Sequence, residues 1–253
     1  MHSVTRCVLV AGFAMAALAG SGCPPDALTP GQLAVVAHDV RAGSPASIPV
    51  RLPPADRVYA STGTRGVTLS FDDGPDPMWT PQVLQVLRRH RLHAVFCMIG
   101  YRARAHPELV RQVAAEGHAL CNHTLDHDAG LGYRPVPVMD RNLRATDTLL
   151  ITASGVRPRY FRAAHGDFTP ALVAVARRLG MASLGWHVTA ADWRSPGVMT
   201  PGAIAAQVAG TVRPGCIILF HDGGSPGTHW HTVDALELVL AELDRRQLPV
   251  TDP

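Results

Sequence analysis

The run Val67-Thr-Leu-Ser-Phe-Asp-Asp-Gly-Pro75 reads as a strand stopped by two acids and a turn. Adjacent strand carboxylates point to opposite faces unless the chain bends, and Gly74-Pro75 supplies that bend. Two anions this close repel. A fold therefore gains by giving Asp72 and Asp73 different partners, a metal for one and a cation for the other. A bare Asp-Asp-Gly also fits a plain loop built on an Asx-turn, so its meaning depends on what surrounds it.

Outward from this run, short apolar stretches alternate with longer helical patterns. Strands are expected at 67–71, 94–99, 118–121, 160–161, 182–185 and 216–220, with 248–250 as a last candidate. Amphipathic helices are expected at 81–90, 107–116, 139–153, 170–179, 201–211 and 233–245. Thr80-Pro81, Thr169-Pro170 and Thr200-Pro201 each read as an N-cap followed by Pro at the first helical position. Such alternation implies a parallel sheet with helices outside, either open or closed into a barrel. At 253 residues and 47% hydrophobic content the chain suits one large α/β domain with a sizeable core.

Polar residues gather just after these strands. Asp72 and Asp73 follow the first, His123 and His127 the third, and Arg162 the fourth. Asp192 lies a little beyond the fifth, and His221 directly follows residues 216–220. In a parallel barrel those strand ends share one face, where active sites are built.

His123-Thr-Leu-Asp-His127 places two imidazoles at i and i+4, read here as one face of a helical turn. That spacing can present two nitrogens to one metal ion. With an Asp from another strand end it makes a two-His, one-carboxylate set with open positions. Such a set suits catalytic zinc, yet a non-haem iron centre uses the same ligands, so the ligands alone leave the metal open.

The N-terminus reads as a signal peptide over residues 1–19: His2 and Arg6, an apolar run from Cys7 to Gly20, and Ala17-Leu18-Ala19 as the small-x-small site. A buried N-terminal helix and a lipoprotein cut before Cys23 are the alternatives, the latter with Gly20 where a branched apolar residue belongs. Residues 20–57 carry seven prolines and read as an extended segment lying on the domain at 58–253. No further apolar segment reaches membrane length, so the mature protein is expected to be secreted. The formal charge of +3 and the absence of a basic run argue against a nucleic-acid partner. Cys97, Cys121 and Cys216 lie in or beside strand-like runs and are expected as buried free thiols. His90, His93, His106, His118 and His187 sit at element boundaries and read as structural, while His229 and His231 read as loop surface.

Taken together, Phe71-Asp-Asp-Gly-Pro75, His123-Thr-Leu-Asp-His127, Phe161-Arg162, Asp192-Trp193 and Leu219-Phe220-His221 resemble the ordered motifs of the NodB-homology polysaccharide deacetylases, carbohydrate esterase family 4. The resemblance runs from residue 67 to about 245. It implies a distorted (β/α) barrel with parallel strands and outer helices. It implies that Asp73, His123 and His127 hold Zn²⁺, with Co²⁺, Ni²⁺ or Mn²⁺ as alternatives, and that Asp72 is the general base. Arg162 would pair with Asp72. His221 would be the general acid, held in its charged form by Asp192. Trp193 and Leu219 would line the pocket for the acetyl methyl, and the His165 N–H would face the oxyanion.

The implied reaction removes an N-acetyl group from an acetylated sugar, giving acetate and a free amine. Two departures from the family pattern bear on the substrate: Ala163-Ala164-His165 replaces Pro-Pro-aromatic, and Thr189 replaces a common Asp. Similar proteins deacetylate the N-acetylglucosaminyl group of teicoplanin-type glycopeptide antibiotics, and an exported chain with an altered groove loop and a GC-rich coding composition, its 23 basic residues all Arg, fits that branch. The alternatives are an O-acetyl esterase acting on xylan or another glycan, and an idle carbohydrate-binding relative. Nothing in the sequence sets the oligomeric state.

Overall fold

A computed structural model of the chain describes residues 57–194, 199–224 and 230–252. The expected signal peptide, nearly all of the extended segment with Cys23, and His229 lie outside the described residues. The described residues form eight strands: β1 (Val58–Tyr59), β2 (Thr68–Asp72), β3 (Val95–Met98), β4 (Ala119–Asn122), β5 (Tyr160–Phe161), β6 (Ala182–Leu184), β7 (Val188–Thr189) and β8 (Ile217–His221). They pair in parallel in the order β1-β6-β5-β4-β3-β2-β8-β7. The helices are α1 (Thr80–His90), α2 (Gly100–Ala105), α3 (Pro107–Ala115), α4 (Val136–Ser154), α5 (Pro170–Arg178), α6 (Pro201–Thr211) and α7 (Trp230–Arg245).

The sheet curls into a distorted barrel, and the chain itself bridges its two ends. Between β6 and β7, the Gly185 N–H donates to the Tyr59 carbonyl at 2.6 Å and the His187 N–H to the Ile217 carbonyl at 3.2 Å. His187 Nδ1 lies 2.8 Å from the Ala60 carbonyl, which gives this histidine the structural role expected of it.

Strand alternation divides the side chains between the two faces of the sheet. Phe71, Phe96 and Phe220 face the helices, where Phe71 stacks on both neighbours at 5.2 and 5.6 Å, and they pack with Leu84, Leu236 and Val239. Val95, Cys97, Cys121, Tyr160 and Ile217 form a separate inner cluster. Asp72, Leu219 and His221 share the inward parity, so a two-residue period delivers three site residues to one interior.

Several expectations are corrected. Residues 248–250 form only an isolated bridge, Val67 with Val250, while β1, β7 and α2 are additional. Cys97 and Cys121, paired in register across β3 and β4, are joined in a buried disulfide, and Cys216 is also disulfide-bonded, so the free-thiol reading is wrong. Thr169 and Thr200 cap α5 and α6 as expected, but Trp79 takes the cap position of α1. The Thr80 hydroxyl instead donates to Asp222 at 2.6 Å. His231 is buried rather than on a loop surface.

Candidate active site

The strand ends converge on a cleft of about 410 Å³ lined by Asp72, Asp73, His123, His127, His165, Gly166, Trp186, Thr189, Trp193, Leu219 and His221. The expected site residues Arg162 and Asp192 stand behind this lining and hold it in place.

Asp72 ends β2 and points inward. Its Oδ1 accepts from Arg162 Nη1 at 2.5 Å. Arg162 is wholly buried and also donates to Ser70 Oγ and to the Leu184 and Gly185 carbonyls at 2.9–3.1 Å. The face of Trp186 lies 5.4 Å from the guanidinium. A charge removed from water needs such complete satisfaction, and Arg162 therefore has one available position.

Asp73 turns the other way because its backbone is left-handed, with φ 70°. His123 and His127 do not share a helical turn as expected: the segment after β4 is a loop, with Thr124 at φ 66° and His127 at φ 58°. The Thr124 N–H donates to Asn122 Oδ1, and the His127 N–H to Thr124 Oγ1. His165 and Ala191 are left-handed as well, so among the described residues five of the seven non-glycine positions with positive φ lie in the site loops. Backbone strain of this kind collects at functional sites, where the surrounding structure holds it.

Asp73 Oδ1 lies 3.3 Å from His123 Nε2 and 3.2 Å from His127 Nε2. One ligand atom from each of the three residues falls within 4.8 Å of the others. His123 Nδ1 is engaged by the Arg162 carbonyl at 2.8 Å, which leaves Nε2 as the free lone pair. Asp73 Oδ1 is buried, yet it accepts no well-directed hydrogen bond. A divalent cation fits this set: it satisfies the orphaned oxygen and uses both Nε2 lone pairs.

Electrostatics agree with that fit. Burial opposes charge on Asp73, but the imidazoles of His123, His221 and His127 outweigh it and hold the carboxyl well below its ordinary range. Burial also opposes charge on His123, and the anions of Asp72 and Asp73 overcome it, raising its pKa. The pocket thus favours positive charge beside His123 Nε2. Burial and the neighbouring His123 lower His127 despite Asp73, which favours the neutral form of the ring that coordinates a cation.

Across the cleft, His221 ends β8 with its ring Nδ1 2.8 Å from Asp192 Oδ1. Asp192 Oδ2 accepts both the His221 N–H and the Thr232 hydroxyl at 2.8 Å. Burial works against the imidazolium, but the charge and hydrogen bond of Asp192 push it up to about 9. Leu219 is buried in the cleft wall, whereas Trp193 is 56% exposed at the mouth. His165 is exposed on the rim, its ring 4.7 Å from that of His127.

Sequence reasoning missed Thr232, Trp186 and Ser70. Thr232 lies 40 residues from Asp192 in a helix without a motif. Trp186 gave a signal only as an aromatic at a strand end. It lines the cleft and packs so closely on Gly166 that a Cβ there would stand 2.6 Å from its ring.

The sequence model of the polysaccharide deacetylase family matches residues 59–184. A chitooligosaccharide deacetylase of Bradyrhizobium sp. (strain ANU 289) is 39% identical over 194 residues, covering 73% of this chain and 87% of that protein. A peptidoglycan-N-acetylglucosamine deacetylase of Bacillus cereus is 36% identical over 183 residues, covering 71% and 82%. The solved structure of the Bc1960 peptidoglycan N-acetylglucosamine deacetylase superposes with a TM-score of 0.70 at 28% identity, covering 76% of this chain and 88% of that one.

Proposed function

The chain belongs to the NodB-homology polysaccharide deacetylases, carbohydrate esterase family 4, and on that premise we propose that it hydrolyses the N-acetyl group of an N-acetylglucosamine-containing glycan, a chitooligosaccharide or a peptidoglycan strand. The products are acetate and a free amine. One observation carries the reading: a carboxylate held by a buried arginine and an imidazole held by a buried aspartate open on the same cleft, beside an Asp-His-His cation set.

An amide is a poor electrophile and an amine a poor leaving group, so the site must polarise the first and protonate the second. Zinc held by Asp73, His123 and His127 would supply Lewis acidity toward the carbonyl and lower the pKa of water. Asp72, oriented by Arg162, takes the proton from attacking water. His221 gives its Nε2 proton to the departing nitrogen, and Asp192 stabilises the imidazolium before that transfer. The His165 N–H, in the turn beside His127, is the backbone donor proposed for the oxyanion. Leu219 and Trp193, both in the cleft lining, form the pocket that receives the acetyl methyl.

Export is part of the proposal, supported by the leader-like residues 1–19 and by the Cys97–Cys121 disulfide, a bond that persists in oxidising compartments. A glycopeptide carrying N-acetylglucosamine is the narrower acceptor, supported by the exposed His165 and the loss of two prolines in its loop. An idle binding role is disfavoured because base and acid are both present and both face the cleft. Mass spectrometry on chitooligosaccharide, peptidoglycan fragment, acetyl-xylan and N-acetylglucosaminyl glycopeptide tests the reading. A mass loss of about 42 units, one acetyl replaced by hydrogen, with a new primary amine is expected. Loss of acetyl from xylan alone would make it an O-acetyl esterase, and no loss from any compound would remove the reading.

A further inference from the structure

A buried carboxyl that the proposed reaction does not use stands directly behind the site. Asp222 follows His221, is wholly buried, and packs on the turn that carries Asp72 and Asp73. Its N–H donates to the Asp72 carbonyl at 3.1 Å, and its Oδ2 accepts the Thr80 hydroxyl at 2.6 Å. Thr80 Oγ1 in turn accepts the Asp76 N–H at 2.8 Å, so the chain leaving the turn is tied to the same carboxyl. Asp222 Oδ1 has no hydrogen-bond partner.

The two loops meet almost backbone to backbone. A Cβ at Gly74 would stand 2.5 Å from both Asp222 oxygens, and one at Gly223 would stand 2.2 Å from the Asp73 carbonyl oxygen. Only glycine at both positions allows this approach. Arg102 spans the same seam, donating from Nη2 to the Gly224 carbonyl at 3.1 Å, with Nη1 3.6 Å from Asp76.

We infer that Asp222 is a positioning residue that sets the distance between the turn bearing Asp72 and Asp73 and the strand end bearing His221. The inference rests on the deacetylase reading above, because base and acid must reach one amide together. A misplacement of about 1 Å can cost ~10²-fold in rate. What the turn uses is the volume of Asp222 and one acceptor oxygen. An isolated buried charge would cost more than it returns, and the amide of Asn supplies the same shape and acceptor.

The test compares Asp222→Ala, Asp222→Asn and Thr80→Val with the unmodified full chain. The readouts are kcat and KM on fully N-acetylated chitotetraose, zinc affinity by chelator competition, and Tm. Asp222→Ala is expected to lower kcat roughly 30-fold with KM within about threefold, and to weaken zinc about tenfold. Asp222→Asn should stay within about threefold of the parent in both. Thr80→Val, which leaves the Asp222 oxygen and the Asp76 N–H unpaired, should lower kcat and zinc affinity in protein that still folds, with Tm down by a few degrees. Parent-like kcat and zinc affinity in Asp222→Ala would overturn the inference, as would an Asn variant as impaired as the Ala variant. Should Asp222→Ala fail to fold, Thr80→Val decides, and parent-like values there overturn it. Zinc affinity is read without turnover, so a parent inert toward chitotetraose removes the deacetylase reading while the affinity comparison still judges Asp222.

Discussion

Asp192 grips His221 at two points: one carboxylate oxygen faces the ring Nδ1 and the other accepts the backbone N–H, each at 2.8 Å. A double grip fixes the ring's rotamer and tautomer together, leaving Nε2 as the proton that faces the cleft. Thr232 holds the second oxygen from α7, so the ring's orientation depends on three separate chain segments.

The alkaline limit of activity should follow from that contact. Burial pulls the His221 imidazole down, but Asp192 raises it to about 9. A general acid must begin protonated, so kcat/KM is expected to fall as pH rises through about 9. Asp192→Asn removes the charge and should move the limb toward acid by at least about one unit. A limb that stays in place in the folded variant would assign it to another group. By the same linkage, this contact stabilises the fold fully below the ordinary value of 6.5, and the gain is lost as pH passes through about 9.

Arg162 and Asp72 make a wholly buried ion pair, and removing one member leaves the other unpaired in the interior. Arg162→Met is expected to cost about 3–5 kcal/mol in urea unfolding. The double variant Arg162→Met/Asp72→Asn should recover part of that loss. A single variant as stable as the parent would contradict the pairing seen here.

Metal removal should silence the enzyme. Dialysis against chelator is expected to abolish acetate release, and zinc to restore it. Asp73→Asn should stay inactive at any practical zinc concentration, since it weakens the one carboxylate ligand. Turnover persisting after elemental analysis shows no metal would refute the cation's role.

His118 lies far from the cleft and reports on acid stability. Its Nδ1 accepts the Ala94 N–H at 3.2 Å, and burial with the nearby His93 lowers it to about 4. The unfolded chain protonates first, near 6.5, so stability should fall as pH drops from there toward 4, by about 3 kcal/mol at most. His118→Gln should flatten that part of the stability curve. An unchanged slope would show that other groups set it.

The Cys97–Cys121 bond closes a sequence separation of 24 residues. Replacing both cysteines by Ala should lower stability by about 3 kcal/mol. Peptide mapping after alkylation of the unreduced protein in denaturant should find neither thiol free. Recovery of both as alkylated peptides would restore the free-thiol expectation.

What the sequence determined by itself was the strand–helix alternation and the polar residues at the strand ends. Both are local: apolar periodicity and turn chemistry are written within a dozen residues. Parallel strands then carry Asp72, His123, Arg162 and His221 to one face whatever the details. Tertiary structure alone decided how the side chains aim. His123 and His127 converge through a left-handed loop and not through a helix, because Asn122 and Thr124 bind the backbone there. Thr232, Trp186 and Asp222 acquire their partners only once segments 20 to 150 residues away are packed, and the disulfide needs β3 and β4 in register. Contacts of that range leave no local trace, since each depends on where a distant chain comes to rest.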